Sequence, residues 1–132
     1  MTKTFDFGFG PVPAHQHPNG GGWVADSAFV AETAYVGRNA VVYGNARVCG
    51  KAKVSGDAQV FANARVYGKA RVSGNARVTD NARVSGNAVV TDDAQVFGEA
   101  RVFGNAVVTD DARVTGNAQI QGNARVTEGT HT

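Results

Sequence analysis

From Asp26 to Thr127 the chain carries apolar residues on a strict period of six. Ala stands at 28, 34, 40 and every sixth position to 124. Val stands two places later, from Val30 to Val126, with Ile120 the single exchange. The stretch divides into seventeen consecutive hexads with no insertion, and the commonest phrase is Gly-Asn-Ala-Arg-Val-Ser/Thr. Most Val residues have polar neighbours. That alternation predicts a short strand with Val turned inward and its flanks outward. Val is β-branched and suits a pleated surface. Gly, Asn and Asp between the strands tolerate the tight or left-handed backbone of a corner, and Ala is the small residue where walls converge. A helix is excluded, because a period of six walks around a 3.6-residue helix and leaves no apolar stripe. A fixed short period of this kind predicts a β-solenoid.

The phrase resembles that of the hexapeptide-repeat superfamily, whose pattern is a bulky aliphatic, a small or acidic residue, two free residues, a small residue and one free residue. Val30, Val36 and their successors match the aliphatic position, and Ala34, Ala40 and their successors the small one. The residue after each Val departs from the pattern, being often Ser, Thr, Tyr or Phe, with Gly one place later. The resemblance implies an all-β, left-handed parallel β-helix with three hexads per triangular coil. That gives 18 residues per coil and just under six coils. The prism would be roughly 25–30 Å long at about 4.8 Å per stacked strand. The expected organisation is an N-terminal cap over 1–25, the solenoid over 26–127 and a polar tail over 128–132. The family analogy also implies a homotrimer.

Composition narrows the setting. The 132 residues hold 13 Lys and Arg against 11 Asp and Glu, a net charge of +2. The single cysteine, Cys49, excludes a disulfide within the chain and fits a reducing compartment. No apolar run is long enough for a membrane helix, and the N-terminus lacks a signal-peptide pattern. The expectation is the cytoplasm of a bacterium or of a phage-infected one, with no membrane partner.

Candidate chemistry is sparse. Many hexapeptide proteins are acyltransferases with a catalytic His and a loop extruded from the coils. Here no His falls between His17 and His131, and no loop interrupts the hexads. The three His zinc ligands of the related γ-class carbonic anhydrases are missing too. Catalytic residues are therefore not assigned. An acyltransferase or metal-dependent enzyme working at an oligomer seam is the alternative reading, and a structural rod or phage-particle component a third. The N-terminal segment alternates Phe5, Phe7 and Phe9, then runs through His15-Gln-His17 to Gly20-Gly21-Gly22. These apolar residues suit a cap over the first coil, and the glycines a flexible hinge. Alternatively, His15 and His17 in a strand would share one side and offer a metal pair, as His-x-His does at some phage spike tips. The double acids Asp92-Asp93 and Asp110-Asp111 share one corner, as turn formers or as oxygen ligands for Ca²⁺.

With 18 residues per coil, side chains 18 apart stack in columns. On the third face Tyr43, Phe61 and Phe97 form an outward aromatic strip, the expected trimer seam. Charge is uneven along the axis: residues 38–79 carry a net +7 and residues 80–128 a net −3. Arg47, Lys51, Lys53, Arg65, Lys69 and Arg71 come from two adjacent coils, with Tyr67 on the same first face and positioned to stack on a base or sugar. This patch is the expected site for an anionic small molecule, single-stranded nucleic acid or an acidic protein surface. The sequence thus reads as a non-enzymatic binding or assembly module presenting a rigid charged surface.

Overall fold

Residues 3–132 are described in a computed structural model. The hexad pattern becomes one strand per hexad. Seventeen two-residue strands run from β4 (Phe29–Val30) to β20 (Arg125–Val126), and each ends on the Val or Ile of its phrase. Three strands precede them: β1 (Thr4–Asp6), β2 (Pro11–Gln16) and β3 (Trp23–Ala25). One follows, β21 (Thr130–His131). There is no helix among the described residues. The strands stack into three sheets of nine, six and six strands, one for each wall of the solenoid, which winds through about six turns. Pairing within the solenoid is parallel and follows the 18-residue register, as in Arg65 with Arg47 and Val66 with Val48.

Every wall uses the same device. Val points inward and Ala lines the convergence beside each corner. From Ala34 to Val114 every such Val and Ala is fully buried. At the corners the Ala N–H closes a turn on the carbonyl three residues back, as in Ala76 to Ser73 at 3.2 Å. The neighbouring N–H groups reach the next coil: Lys69 N–H donates to Gly86 O at 2.8 Å. The first corner residue takes a left-handed backbone in most coils, with φ of 69° at Gly68 and 58° at Asp92. A Cβ at Gly68 would stand 3.0 Å from the Gly86 nitrogen, so both conformation and spacing select Gly there.

The solenoid begins one hexad earlier than the sequence reading placed it. β3 already pairs in parallel with the strand Val41–Val42, and Val24 is buried like the repeat valines. Gly22 holds the position that Ala holds elsewhere. A Cβ on it would come within 2.3 Å of Gly37 O and 2.4 Å of Val36 Cγ1. Gly20 and Gly22 are therefore packed against the first coil rather than forming a hinge. Residues 4–16 fold into an antiparallel hairpin, β1 on β2, which continues antiparallel onto β3 and extends the third sheet.

At the other end the tail does not lie apart from the solenoid. β21 adds to the third sheet, pairing Thr130 with Arg113 and His131 with Val114. The register here is 17 instead of 18, because one residue of the phrase is missing. The last coil is less sealed: Ile120 is half-buried and Ala124 exposed.

Candidate functional site

The two-coil register assembles the cationic cluster expected from sequence. Arg47 pairs with Arg65 on the first sheet, and Lys53 with Arg71 on the second. Lys51 N–H donates to Gly68 O at 2.8 Å, which sets Lys51 one coil from Lys69 at the corner between those sheets. All six side chains are exposed. Tyr67 lies beside them, 38% exposed. None forms an ion pair: among the described residues the only one is His15 with Asp26, at 2.8 Å. Like charges one coil apart repel by about 1 kcal/mol even at the dielectric of water. A bound anion removes that cost, because it lies between the cations instead of adding to them.

The column does not stop at Arg65. Arg83 and Arg101 continue it in register. Beside it, at the corner between the third and first sheets, Asn45, Asn63 and Asn81 form a parallel row. With Arg47, Arg65 and Arg83 these asparagines line a shallow groove that ends at Glu99. The sequence reading confined the site to the two coils that carry Arg47 to Arg71. The missed signal was the asparagine row, which becomes visible once corner residues are also stacked by 18. Guanidinium and carboxamide groups side by side donate several N–H groups to an oxyanion.

The double-aspartate corner faces a second cleft, lined also by Thr127 and Glu128. Two of its carboxylates, those of Asp92 and Asp93, are engaged in the corner itself. Asp92 Oδ2 accepts from Thr109 Oγ1 at 2.6 Å and from Asp110 N at 3.4 Å. These bonds hold the Asp92 carboxyl below its ordinary pKa, the Thr109 hydroxyl contributing most. Asp93 Oδ1 accepts from Asn75 Nδ2 at 3.2 Å. The Asp92 and Asp110 backbones are left-handed, with φ of 58° and 56°, so both fill the corner place that Gly fills elsewhere. Among the described residues no three His, Cys, Asp or Glu side chains are arranged to hold a metal ion.

His15 and His17 part company as well. His15 Nδ1 pairs with Asp26 Oδ1 at the surface. His17 is buried, and its Nε2 donates to Ala34 O at 2.8 Å. Asn19 Nδ2 donates to the same carbonyl at 3.1 Å. In later coils the Ala carbonyl accepts a backbone N–H from the coil before, as Ala52 O does from Tyr35. Ala34 has no such coil before it, and the cap supplies side-chain donors. His17 is thus a cap residue, and its Nε2 is committed to that bond.

On the third face Tyr43 and Phe61 stack with ring centroids 4.7 Å apart. Phe97 is separated from them by Thr79. Tyr43 is also covered by its own chain: Phe7 stacks on it at 4.8 Å and Phe9 tilts against it at 5.8 Å. The resulting desolvation raises its phenol above the ordinary pKa. Tyr43, Phe61 and Phe97 are all half-buried. The aromatic strip is therefore partly the dock for the N-terminal hairpin, a role alternating Phe residues alone did not locate.

A comparison with family models places the centre of the chain. Residues 70–84, 82–98 and 94–110 match the YdcK Beta solenoid repeat. This part of the chain is similar to that family. No curated protein and no solved structure matches the chain. The match agrees with the solenoid and names a repeat, without a ligand or a reaction.

Proposed function

We propose that this solenoid is a binding module whose rigid cationic surface takes an anionic ligand or partner. The observation that carries the reading is the stacking of Arg47 on Arg65, Lys51 on Lys69 and Lys53 on Arg71, all exposed and without an ion pair in the chain. A backbone fixed by parallel ladders sets the spacing of these side chains before any ligand arrives, so the ordering left to binding is that of the side chains alone. Arg83, Arg101 and the asparagine row lengthen the surface along the axis. Tyr67 supplies an aromatic face beside the charges. Single-stranded nucleic acid, a phosphorylated small molecule or an acidic protein fits this chemistry. Long duplex DNA fits less well, because residues 80–128 carry a net negative charge.

The test is a salt titration with single-stranded nucleic acid, nucleotides and heparin, comparing the parent with Lys51→Glu/Lys69→Glu. The parent should bind a polyanion at low salt, with affinity falling steeply as salt rises, and the double variant should lose most of it. Equal binding by the variant, or none by the parent, would remove the proposal.

A further inference from the structure

The second face carries opposite charges at diagonally opposite places. Its strands lie between the Lys51–Lys69 corner and the double-aspartate corner. In the early coils, at the first of these corners, stand Lys51, Lys53, Lys69 and Arg71. In the later coils, at the other corner, stand Asp92, Asp93, Asp110 and Asp111. All eight are exposed. Thr109 ties the acidic corner to this face through its bond to Asp92. Between the two quadrants the face is uncharged: Val89 and Val107 are half-buried, and Ser73 Oγ donates to Thr91 Oγ1 at 3.0 Å. A third quadrant carries the neutral row Asn87, Asn105 and Asn123, hydrogen-bonded along the axis, with the single cation Arg125 beside it, and the fourth carries one charge of each sign, Arg38 and Asp57.

We propose that this face pairs with the same face of a second copy of the chain. A two-fold axis lying in the face, perpendicular to the line joining the charged quadrants, brings the lysines of each copy onto the aspartates of the other. Both contacts form at once, as an isologous interface requires. The valine and hydroxyl centre then meets its own image, and the charges fall at the rim, the usual anatomy of a protein interface. The axis runs oblique to the solenoid, so the two solenoids cross instead of lying side by side. Side-by-side arrangements of this face, parallel or antiparallel, leave the lysines facing neutral or mixed positions. The inference rests on the proposed binding role of the cationic surface and names its acidic partner as a second copy.

Charge exchange tests it on the full chain, with mass read by light scattering or sedimentation. The parent should be a dimer at low salt that dissociates as salt screens the contacts. Lys51→Glu/Lys69→Glu brings the cationic quadrant to zero net charge, and Asp93→Lys/Asp111→Lys does the same to the acidic one, whereas a mixed pair still sets one intact cationic quadrant on one intact acidic quadrant. Each variant alone should self-associate at least about tenfold more weakly. An equimolar mixture of the two should recover the dimer mass. A parent that stays monomeric, a parent that forms trimers, or a mixture that stays monomeric would overturn the pairing. Polyanion titration of the same samples separates the two ideas. Polyanion competes with the second copy for the same lysines, so a dimeric parent should lose dimer mass as polyanion is added. A monomeric parent that binds polyanion overturns the pairing and keeps the binding role, whereas one that binds none removes both.

Discussion

Replacing Val84 tests the inward column where it is deepest. Val84 is fully buried, with Val66 and Val102 in register on either side. Val84→Ala deletes two carbon groups worth about 0.8 kcal/mol each in transfer. The ladders on both sides hinder collapse of the resulting cavity, so the total should reach about 2–3 kcal/mol. Val84→Asp keeps a similar volume but buries a carboxylate that has no cation or donor in the column. Its cost should exceed about 4 kcal/mol at neutral pH, a large share of the roughly 5–15 kcal/mol that holds a domain folded. The next residue, Ser85, points outward, and Ser85→Asp should stay within about 0.5 kcal/mol of the parent. Urea melts followed by far-UV circular dichroism rank the three. If Val84→Asp melts with the parent, or if Ser85→Asp falls further than Val84→Asp, the alternation of inward and outward positions is wrong.

The cap, corners and titrating groups yield further expectations. His17→Ala should cost about 2–3 kcal/mol in the same melts, because a packed ring and a donor to the buried end of the first coil go together, whereas His15→Ala should cost under about 1 kcal/mol. Ala62 has φ of 61° in a place that Gly fills in other coils; Ala62→Gly relieves that strain at some cost in unfolded-chain freedom and should stabilise by about 0.5–1 kcal/mol. The Asp92 pKa is lowered on folding, so its contribution is present above its ordinary 3.8 and is lost as pH falls below it; the parent's advantage over Asp92→Asn should shrink in that acid range. Tyr43 has a raised pKa, so its contribution holds below its ordinary 10.0 and is lost as pH rises beyond it; in alkaline melts the parent should lose stability relative to Tyr43→Phe.

The solenoid was legible because its pattern is local and repeated. Each hexad states its own strand and corner, and the coil length aligns the columns, so Arg47 on Arg65 and Lys53 on Arg71 followed directly. The ends were harder to read because they depart from the phrase. Gly22 stands where Ala stands elsewhere and looked like part of a hinge, although its missing Cβ is what lets the first coil close. His17 looked like half of a metal pair because a sequence cannot show that Ala34 O lacks its usual donor. The aromatic strip was read as a seam between chains, yet Phe7 and Phe9 reach Tyr43 only through a hairpin whose path no periodicity specifies. The diagonal of charge on the second face needed corner and strand columns to be laid side by side.

The most direct measurement is amide chemical-shift mapping of the ¹⁵N-labelled chain during titration with a short single-stranded oligonucleotide and, separately, with a heparin oligosaccharide at low salt. The account predicts that shifts concentrate at Arg47, Lys51, Lys53, Arg65, Lys69 and Arg71 and spread along the first face toward Arg83. They should also disappear as salt is added. Shifts centred on the acidic corner or on the N-terminal hairpin, or no shifts with either probe, would contradict it.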